Sequence, residues 1–376
     1  MSPVEATPAI RKTALNAVHR QLGAKMVEFN GWDMPVEYSG IIAEHLAVRT
    51  GVGVFDVSHM GDIRVAGAEA LAAIQHISIN DASRLAIGQA QYSAMLYPQG
   101  TFVDDIIVHR LGEQEYLIVI NAGTREKDFN WVRENTRQFE CAVENLSDDF
   151  TQIAIQGPAS RDILTTIGVP QLETVKVRHC SDATLCGRPV LLTRTGYTGE
   201  LGYELYLPAE GASEIWHRLI EAGRPLGLKP AGLGARDLLR LEMAYLLYGN
   251  DIDEGTTPLE AGADWVVKFD KGDFVGRAEL LAQQSRGLSR RLIAFELIEK
   301  AVPRHGFKIL DHQGPHAEIG IVSSGNLSPI LQKGIGMGYV PPSAAQAGSS
   351  VLIDIRGRLC PAVVVKPPFY VRPAAT

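Results

Sequence analysis

The sequence predicts an α+β protein that ends in a small all-β unit. Three strand-like runs, residues 91–97, 101–109 and 116–120, follow one another with turn residues at 98–100 and 112–113 between them, which is an antiparallel meander. Helix-period segments lie before and after it, without strict strand–helix alternation. From Arg290 onward the apolar residues fall into the short runs 292–297, 319–323, 334–340, 351–355 and 362–365, separated by Gly, Pro and Ser, the spacing of a compact β-barrel or sandwich. The 376 residues suffice for two or three domains.

In chain order, residues 11–22 place Leu15, Val18 and Leu22 at helical spacing, with Gly23 as a stop. Residues 26–29 read as a strand and Asn30 to Pro35 as a loop carrying Trp32, an indole that either lines a pocket or lids the core. A helix over 41–49 leads to Gly51 through Gly61, whose glycines and small residues suggest close backbone approach. A helix near 68–76 precedes the meander, Asn121-Ala122-Gly123 ends it, and a helix over 125–137 follows. Residues 152–156 form a buried strand, and Gly157-Pro158 opens a helix that stops near Gly168. After a strand over 189–193 come Gly196, Gly199 and Gly202, which give that loop a defined shape. A helix after Gly232 is expected to bury Leu239, Met243 and Leu246, with Arg236 and Arg240 one turn apart on a common side. Residues 248–265 make a loop-rich bridge, and the polar stretch 283–289 reads as a linker.

Composition narrows the function classes. The net charge is −7 with Lys and Arg scattered, which argues against a nucleic-acid surface. No apolar run reaches transmembrane length and no leader pattern is apparent, so no membrane partner is expected and the cytoplasm is the simplest location. Cys141, Cys180, Cys186 and Cys360 show no paired spacing and the ten histidines are dispersed, so neither disulfides nor a metal site is expected.

Two segments invite chemistry. Asp104 and Asp105 are adjacent in a strand whose faces are otherwise apolar. Asp104 shares a face with Phe102, Ile106 and Val108, and Asp105 shares one with Val103, Ile107 and His109. Either the pair decorates a solvated strand start, or at least one acid is desolvated and suited to proton transfer. Glu204 points away from Tyr203 and Leu205 and shares a face with Tyr206. Its carboxylate suits two parallel N–H donors, whether those of an internal arginine or of an aminopyrimidine edge. Arg236 stands in the first turn of its helix, where the dipole disfavours a cation, so an acidic group facing it is expected, either bound or internal.

Taken together, Phe29-Asn30-Gly31-Trp32-Asp33-Met34-Pro35, Phe55-Asp56-Val57-Ser58-His59-Met60, Val103-Asp104-Asp105, Arg125-Glu126-Lys127-Asp128, Gln156-Gly157-Pro158, Arg194 to Glu204, Ala235-Arg236-Asp237 and Tyr248-Gly249-Asn250-Asp251 resemble, in order, the aminomethyltransferases or T-proteins of the glycine cleavage system. The likeness runs from about Val27 to Val371. It implies an α+β, three-domain cloverleaf around a central folate channel. Residues 1–56 plus 147–275 would form a discontinuous first domain, 57–146 a second with an antiparallel sheet, and 285–376 a C-terminal β-barrel. It implies Asp104 as the catalytic acid and Glu204 as the carboxylate gripping the pterin. Arg236, Tyr370, Tyr197, Met60, Trp265 and Arg291 are implied as channel or folate contacts. It also implies tetrahydrofolate as acceptor, the lipoyl carrier protein (H-protein) as partner, and products ammonia and 5,10-methylene-tetrahydrofolate. Thr101, Leu201 and Pro367 depart from the family pattern. A folate-dependent demethylase and a non-catalytic folate-binding protein of the same fold are the alternatives. The intact acid pair and the lack of a reactive cysteine motif weigh against the second, and the absence of a flavin-binding half weighs against a fused oxidase module.

Overall fold

The computed structural model describes residues 9–372, so residues 1–8 and 373–376, which the expected leader assessment and domain limits include, lie outside the described residues. Helix α1 (Asn16–Gln21) precedes strands β1 (Lys25–Phe29) and β2 (Trp32–Glu37), and α2 (Ile41–Thr50) leads into β3 (Gly53–Asp56). Next come β4 (Gly61–Ala66), α3 (Ala70–Ile77), β5 (Ala90–Leu96), β6 (Phe102–Gly112), β7 (Glu115–Ile120), α4 (Arg125–Asn135) and β8 (Ala142–Asn145). The chain continues through β9 (Phe150–Gln156), α5 (Ser160–Thr166), β10 (Cys180–Leu185), β11 (Arg188–Thr193), β12 (Gly202–Pro208), α6 (Ala212–Gly223), β13 (Lys229–Pro230) and α7 (Leu233–Glu242). Helix α8 (Arg277–Arg286) then leads to β14 (Arg291–Leu297), β15 (Lys308–Asp311), β16 (Glu318–Ser328), β17 (Lys333–Val340), β18 (Ser350–Ile355) and β19 (Arg358–Val365).

These strands form three larger assemblies. A five-stranded sheet has the order β5-β6-β7-β4-β8, a six-stranded sheet the order β10-β11-β12-β9-β3-β13, and the last six strands close into a barrel. The meander sits on the first sheet, with β6 between its sequence neighbours. The six-stranded sheet takes β3 from before the five-stranded segment and its other strands from after it. Each assembly has its own apolar core: Ile63, Val108 and Ile118 under the first sheet, Ile155, Tyr203 and Trp216 under the second, and Phe295, Val322 and Ile353 inside the barrel.

Several local expectations are corrected. Asn30 and Gly31, at φ 50° and 81°, form a two-residue hairpin turn, so Trp32 opens a strand instead of sitting in a loop. Trp32 is buried between the Arg11 and Arg125 guanidiniums, 5.0 and 5.1 Å from its ring centre, and is not among the residues that line the main cavity. The first helix is shorter than its apolar spacing implied, because Arg11 bridges to Trp32 as extended chain. Helix α5 starts at Ser160, beyond Pro158, after Gly157 turns the chain at φ 131°. The supposed linker at 283–289 begins as the last turn of α8 and breaks at Gly287, φ 86°. Helix α7 ends at Glu242, so Met243 and Leu246 fall past its buried stripe.

Candidate active site

A cavity of about 1660 Å³ lies where the five-stranded sheet, the six-stranded sheet and the barrel meet. Its wall is drawn from Asp105 and His109 on β6, Glu204 and Tyr206 on β12, Arg236 on α7 and Met337 on β17.

The pleat of β6 splits the acid pair. Asp105, Ile107 and His109 line the cavity, whereas Asp104 turns to the opposite side and is fully buried. Asp104 accepts four hydrogen bonds: from the Asp105 N–H at 3.0 Å, the Asn121 N–H at 2.9 Å, the Asn121 side-chain amide at 2.8 Å and the Thr124 hydroxyl at 2.9 Å. Asp104, the acid the family likeness implies, therefore stands behind the wall, and its neighbour Asp105 stands at it. Both Asp104 oxygens are engaged by protein donors, and Asp104 is not among the residues that line the cavity.

Asp105 does reach it. The Tyr92 hydroxyl donates to its Oδ2 at 3.1 Å and the Asn121 amide to its Oδ1 at 2.8 Å. Burial and, next, the charge of Asp104 push its carboxyl up to about 7, against the pull of those two donors. A carboxyl with that affinity exchanges a proton readily near neutrality. Register explains the convergence. Ile107 pairs with Val119, so Asn121 comes to stand across from Asp105, and Tyr92, paired with Ile107, reaches Asp105 on the diagonal.

On the facing sheet, Tyr203 and Leu205 enter the core while Glu204 and Tyr206 face the cavity. The Thr195 hydroxyl donates to Glu204. Burial raises the Glu204 carboxyl, with Thr195 and the nearby Arg236 opposing the rise. The loop before it is held by close contact: a Cβ on Gly196 or Gly202 would lie 2.1 or 2.3 Å from the Gln156 side chain. The loop therefore wraps onto Gln156, which also accepts from the Thr198 hydroxyl at 2.8 Å. Arg236 lies over the Tyr197 ring, 4.8 Å from its centre, and that hydroxyl donates to the Leu246 carbonyl. Arg240, one turn on, also borders the cavity but is paired with Asp251 at 2.5 Å and Asp237 at 2.7 Å, so of the two it is Arg236 whose guanidinium has no carboxylate paired with it among the described residues.

Met60 lines the wall beside Val57. Trp265, more than half exposed, stacks on Tyr92 with ring centres 6.1 Å apart, and Arg291 stands exposed at the start of the barrel. The Tyr370 ring sits 4.1 Å over the Arg49 guanidinium, which Glu242 and Glu200 hold at 2.6 and 2.9 Å, and the Tyr370 N–H donates to the Glu242 carbonyl. This network staples the C-terminal segment to α2 and to the end of α7.

Seven of the eight expected site residues thus face one cavity, and Asp104 lies behind its wall. Sequence reasoning missed Tyr92, Asn121, His59, His109 and Tyr206. His59 and His109 are buried with no partner for Nδ1 among the described residues. Burial, aided at His59 by Arg236, pushes their imidazoles down to about 3 and about 4, so both present neutral rings to the cavity. Behind the wall, burial pushes Asp62 up to about 7.

A cavity of this size that brings together an exchangeable acid on β6, a carboxylate on β12 and an arginine on α7 has the make-up of an enzyme active site. Two family models match the chain: the GCVT N-terminal domain over residues 15–271 and the glycine cleavage T-protein C-terminal barrel domain over 290–370. The chain is 53% identical to the aminomethyltransferase of Koribacter versatilis, covering 99% of this chain and 98% of that one, and 51% identical to that of Acidobacterium capsulatum, covering 98% of each. It also superposes with a TM-score of 0.90 on the crystal structure of the glycine cleavage system aminomethyltransferase T from Bartonella henselae, at 33% identity over 96% of this chain and 99% of that one. The chain belongs to the glycine cleavage T-protein family, and it is an enzyme of the aminomethyltransferase kind.

Proposed function

We propose that this chain transfers the one-carbon unit of an aminomethyl-lipoyl carrier protein to tetrahydrofolate, releasing ammonia and forming 5,10-methylene-tetrahydrofolate, and that it does so in the cytoplasm. The observation that carries this reading is the convergence of Asp105, Glu204 and Arg236 on one cavity in a chain that matches the family over nearly its whole length. In the reaction, the two folate nitrogens each form a bond to the methylene carbon as its bonds to sulfur and to the amino nitrogen break. The two folate N–H protons leave, and ammonia and the lipoyl thiol each gain one.

Glu204 has one oxygen held by Thr195 and the rest of its acceptor capacity directed at the cavity, which suits a pterin's amino and ring N–H groups. Arg236 supplies positive charge to the same ligand. Asp105, ionised, accepts the proton leaving the folate nitrogen, and Asn121 and Tyr92 keep its oxygens aimed. The enclosed wall supplies most of the remaining rate by positioning the acceptor nitrogen against the incoming carbon. Trp265, Arg291 and Tyr370 frame the side from which a lipoyl arm enters. We further propose residues 1–56 with 147–275, 57–146 and 285–376 as the three domains.

The test is turnover of tetrahydrofolate with an aminomethyl-loaded lipoyl carrier protein, following ammonia and methylene-folate together. Formation of methylene-folate without stoichiometric ammonia, or only from a small methylamine donor, refutes the reading in favour of a demethylase.

A further inference from the structure

Asp128 on α4 is fully buried, and neither of its carboxyl oxygens is paired with a donor among the described residues, the nearby Thr124 hydroxyl being given to Asp104 at 2.9 Å. Lys127 Nζ stands 3.9 Å away and is committed to the Val103 carbonyl at 2.6 Å, the Tyr248 hydroxyl at 2.8 Å and Glu254 at 3.2 Å. A buried carboxylate without donors is strongly disfavoured, but a carboxyl that keeps its proton becomes a donor itself. The acceptor beside it is Asp104. Burial and, next, the charge of Asp104 hold Asp128 well above the usual carboxylate range.

The pair is connected to the cavity. Asn121 gives one amide N–H to Asp104 Oδ1 and one to Asp105 Oδ1, each at 2.8 Å, so the two acids together fix its orientation. Thr124, one residue before α4, donates to Asp104 Oδ2 at 2.9 Å and so ties that helix to β6. The charged and titratable groups facing Asp128 are Asp104 from β6, Lys127 from α4, and Tyr97, Tyr248 and Glu254 from the loops packed on them.

We propose that Asp128 is a positioning residue: it holds a proton against Asp104, keeps the pair at a single negative charge, and through Asn121 fixes the Asp105 carboxylate at the cavity wall. The inference rests on the reading of Asp105 as proton acceptor. An ionised Asp128 would place a second anion behind Asp105 and raise its proton affinity further, whereas a shared proton leaves one charge and a rigid carboxylate.

The test compares Asp128→Leu, which has no donor, with Asp128→Asn, which keeps one without a charge. In Asp128→Leu, kcat is expected to fall roughly ten- to a hundredfold while KM for tetrahydrofolate moves less than about threefold, because aim is lost and binding is not. Asp128→Asn is expected to recover most of that turnover with the acid limb of the pH profile unmoved, and the wild-type-minus-Asp128→Asn infrared spectrum to show a protonated-carboxyl C=O stretch. A missing carboxyl band, or an acid limb lowered by about one pH unit in Asp128→Asn, marks Asp128 as ionised and overturns the proposal. So does full turnover in Asp128→Leu. If Asp128→Leu does not fold, Asp128→Asn and the spectrum still decide. Retained turnover in Asp105→Asn would overturn the reading of Asp105 instead, and the infrared band would still locate the Asp128 proton.

Discussion

The two acids of β6 should separate cleanly on substitution. Asp105→Asn removes the proton acceptor while leaving an isosteric side chain between Tyr92 and Asn121, and loss of general-base help should lower kcat about a hundred- to ten-thousandfold. Stability should move the other way. The folded carboxyl sits at about 7 against an ordinary 3.8, so its favourable contribution is complete at low pH and is lost as pH rises through about 7. Above that pH the ionised group costs up to about 4 kcal/mol, which the amide relieves in part. Asp105→Asn should therefore be inactive yet no less stable near pH 8. Asp104→Asn reverses the pattern. All four contacts to Asp104 are donors, and an amide nitrogen must face two of them whichever way it is turned. Hydrogen bonds to a charged group are worth about 1.5–3 kcal/mol each, so a loss of roughly 3–5 kcal/mol is expected, a large share of a typical folding free energy. Turnover with the loaded carrier and urea unfolding at the same pH measure both quantities. Asp105→Asn retaining turnover within about threefold, or Asp104→Asn matching wild-type stability, refutes the division of labour. The wild-type profile should also show kcat/KM rising with pH through about 7 and becoming flat there in Asp105→Asn, since only the ionised carboxyl accepts a proton.

Other expectations follow from the same geometry. Glu204→Gln keeps the fold but puts an amide donor toward the N–H groups of the ligand, so the Kd for tetrahydrofolate should rise at least about tenfold in a fluorescence titration, and unaltered binding would exclude the pterin contact. Asp62 is buried with Oδ1 unpartnered and Oδ2 accepting from Gln152, and its carboxyl is pushed up to about 7. The stability tied to that proton is complete below about pH 4 and is lost as pH rises to about 7, so the gain of Asp62→Asn on wild type in urea unfolding should be largest at about pH 8.5 and shrink toward about pH 4. Arg240→Met leaves Asp251 with only Ser323 and the Leu247 N–H, and this uncompensated buried charge should destabilise by about 3–5 kcal/mol, read as a lowered unfolding midpoint.

How far the sequence carried these conclusions depends on the range over which each feature is determined. Strand alternation is local, so the opposite faces of Asp104 and Asp105, and of Tyr203 and Glu204, were legible from spacing alone. Which face met the cavity was not, because that choice is made where β5, β7 and the six-stranded sheet pack around β6. His109 was a usable clue, since it shares a face with Asp105. Asn121 and Tyr92 carried no signal of their own. Asn121 read as a turn residue and Tyr92 as one strand aromatic among several, and only the register of Ile107 against Val119 and Tyr92 brings them to Asp105. The errors in element limits share a cause. Apolar periodicity gave the first helix as 11–22, but the backbone of Arg11 bonds to the Gly31 carbonyl and to the Asp33 N–H, so pairing with a distant strand displaced a locally acceptable turn of helix. Arg236 and Arg240 show the same limit in the chemistry. Equivalent by helical spacing, they differ because Asp251 arrives from beyond the end of α7 to pair with one and leave the other for a ligand.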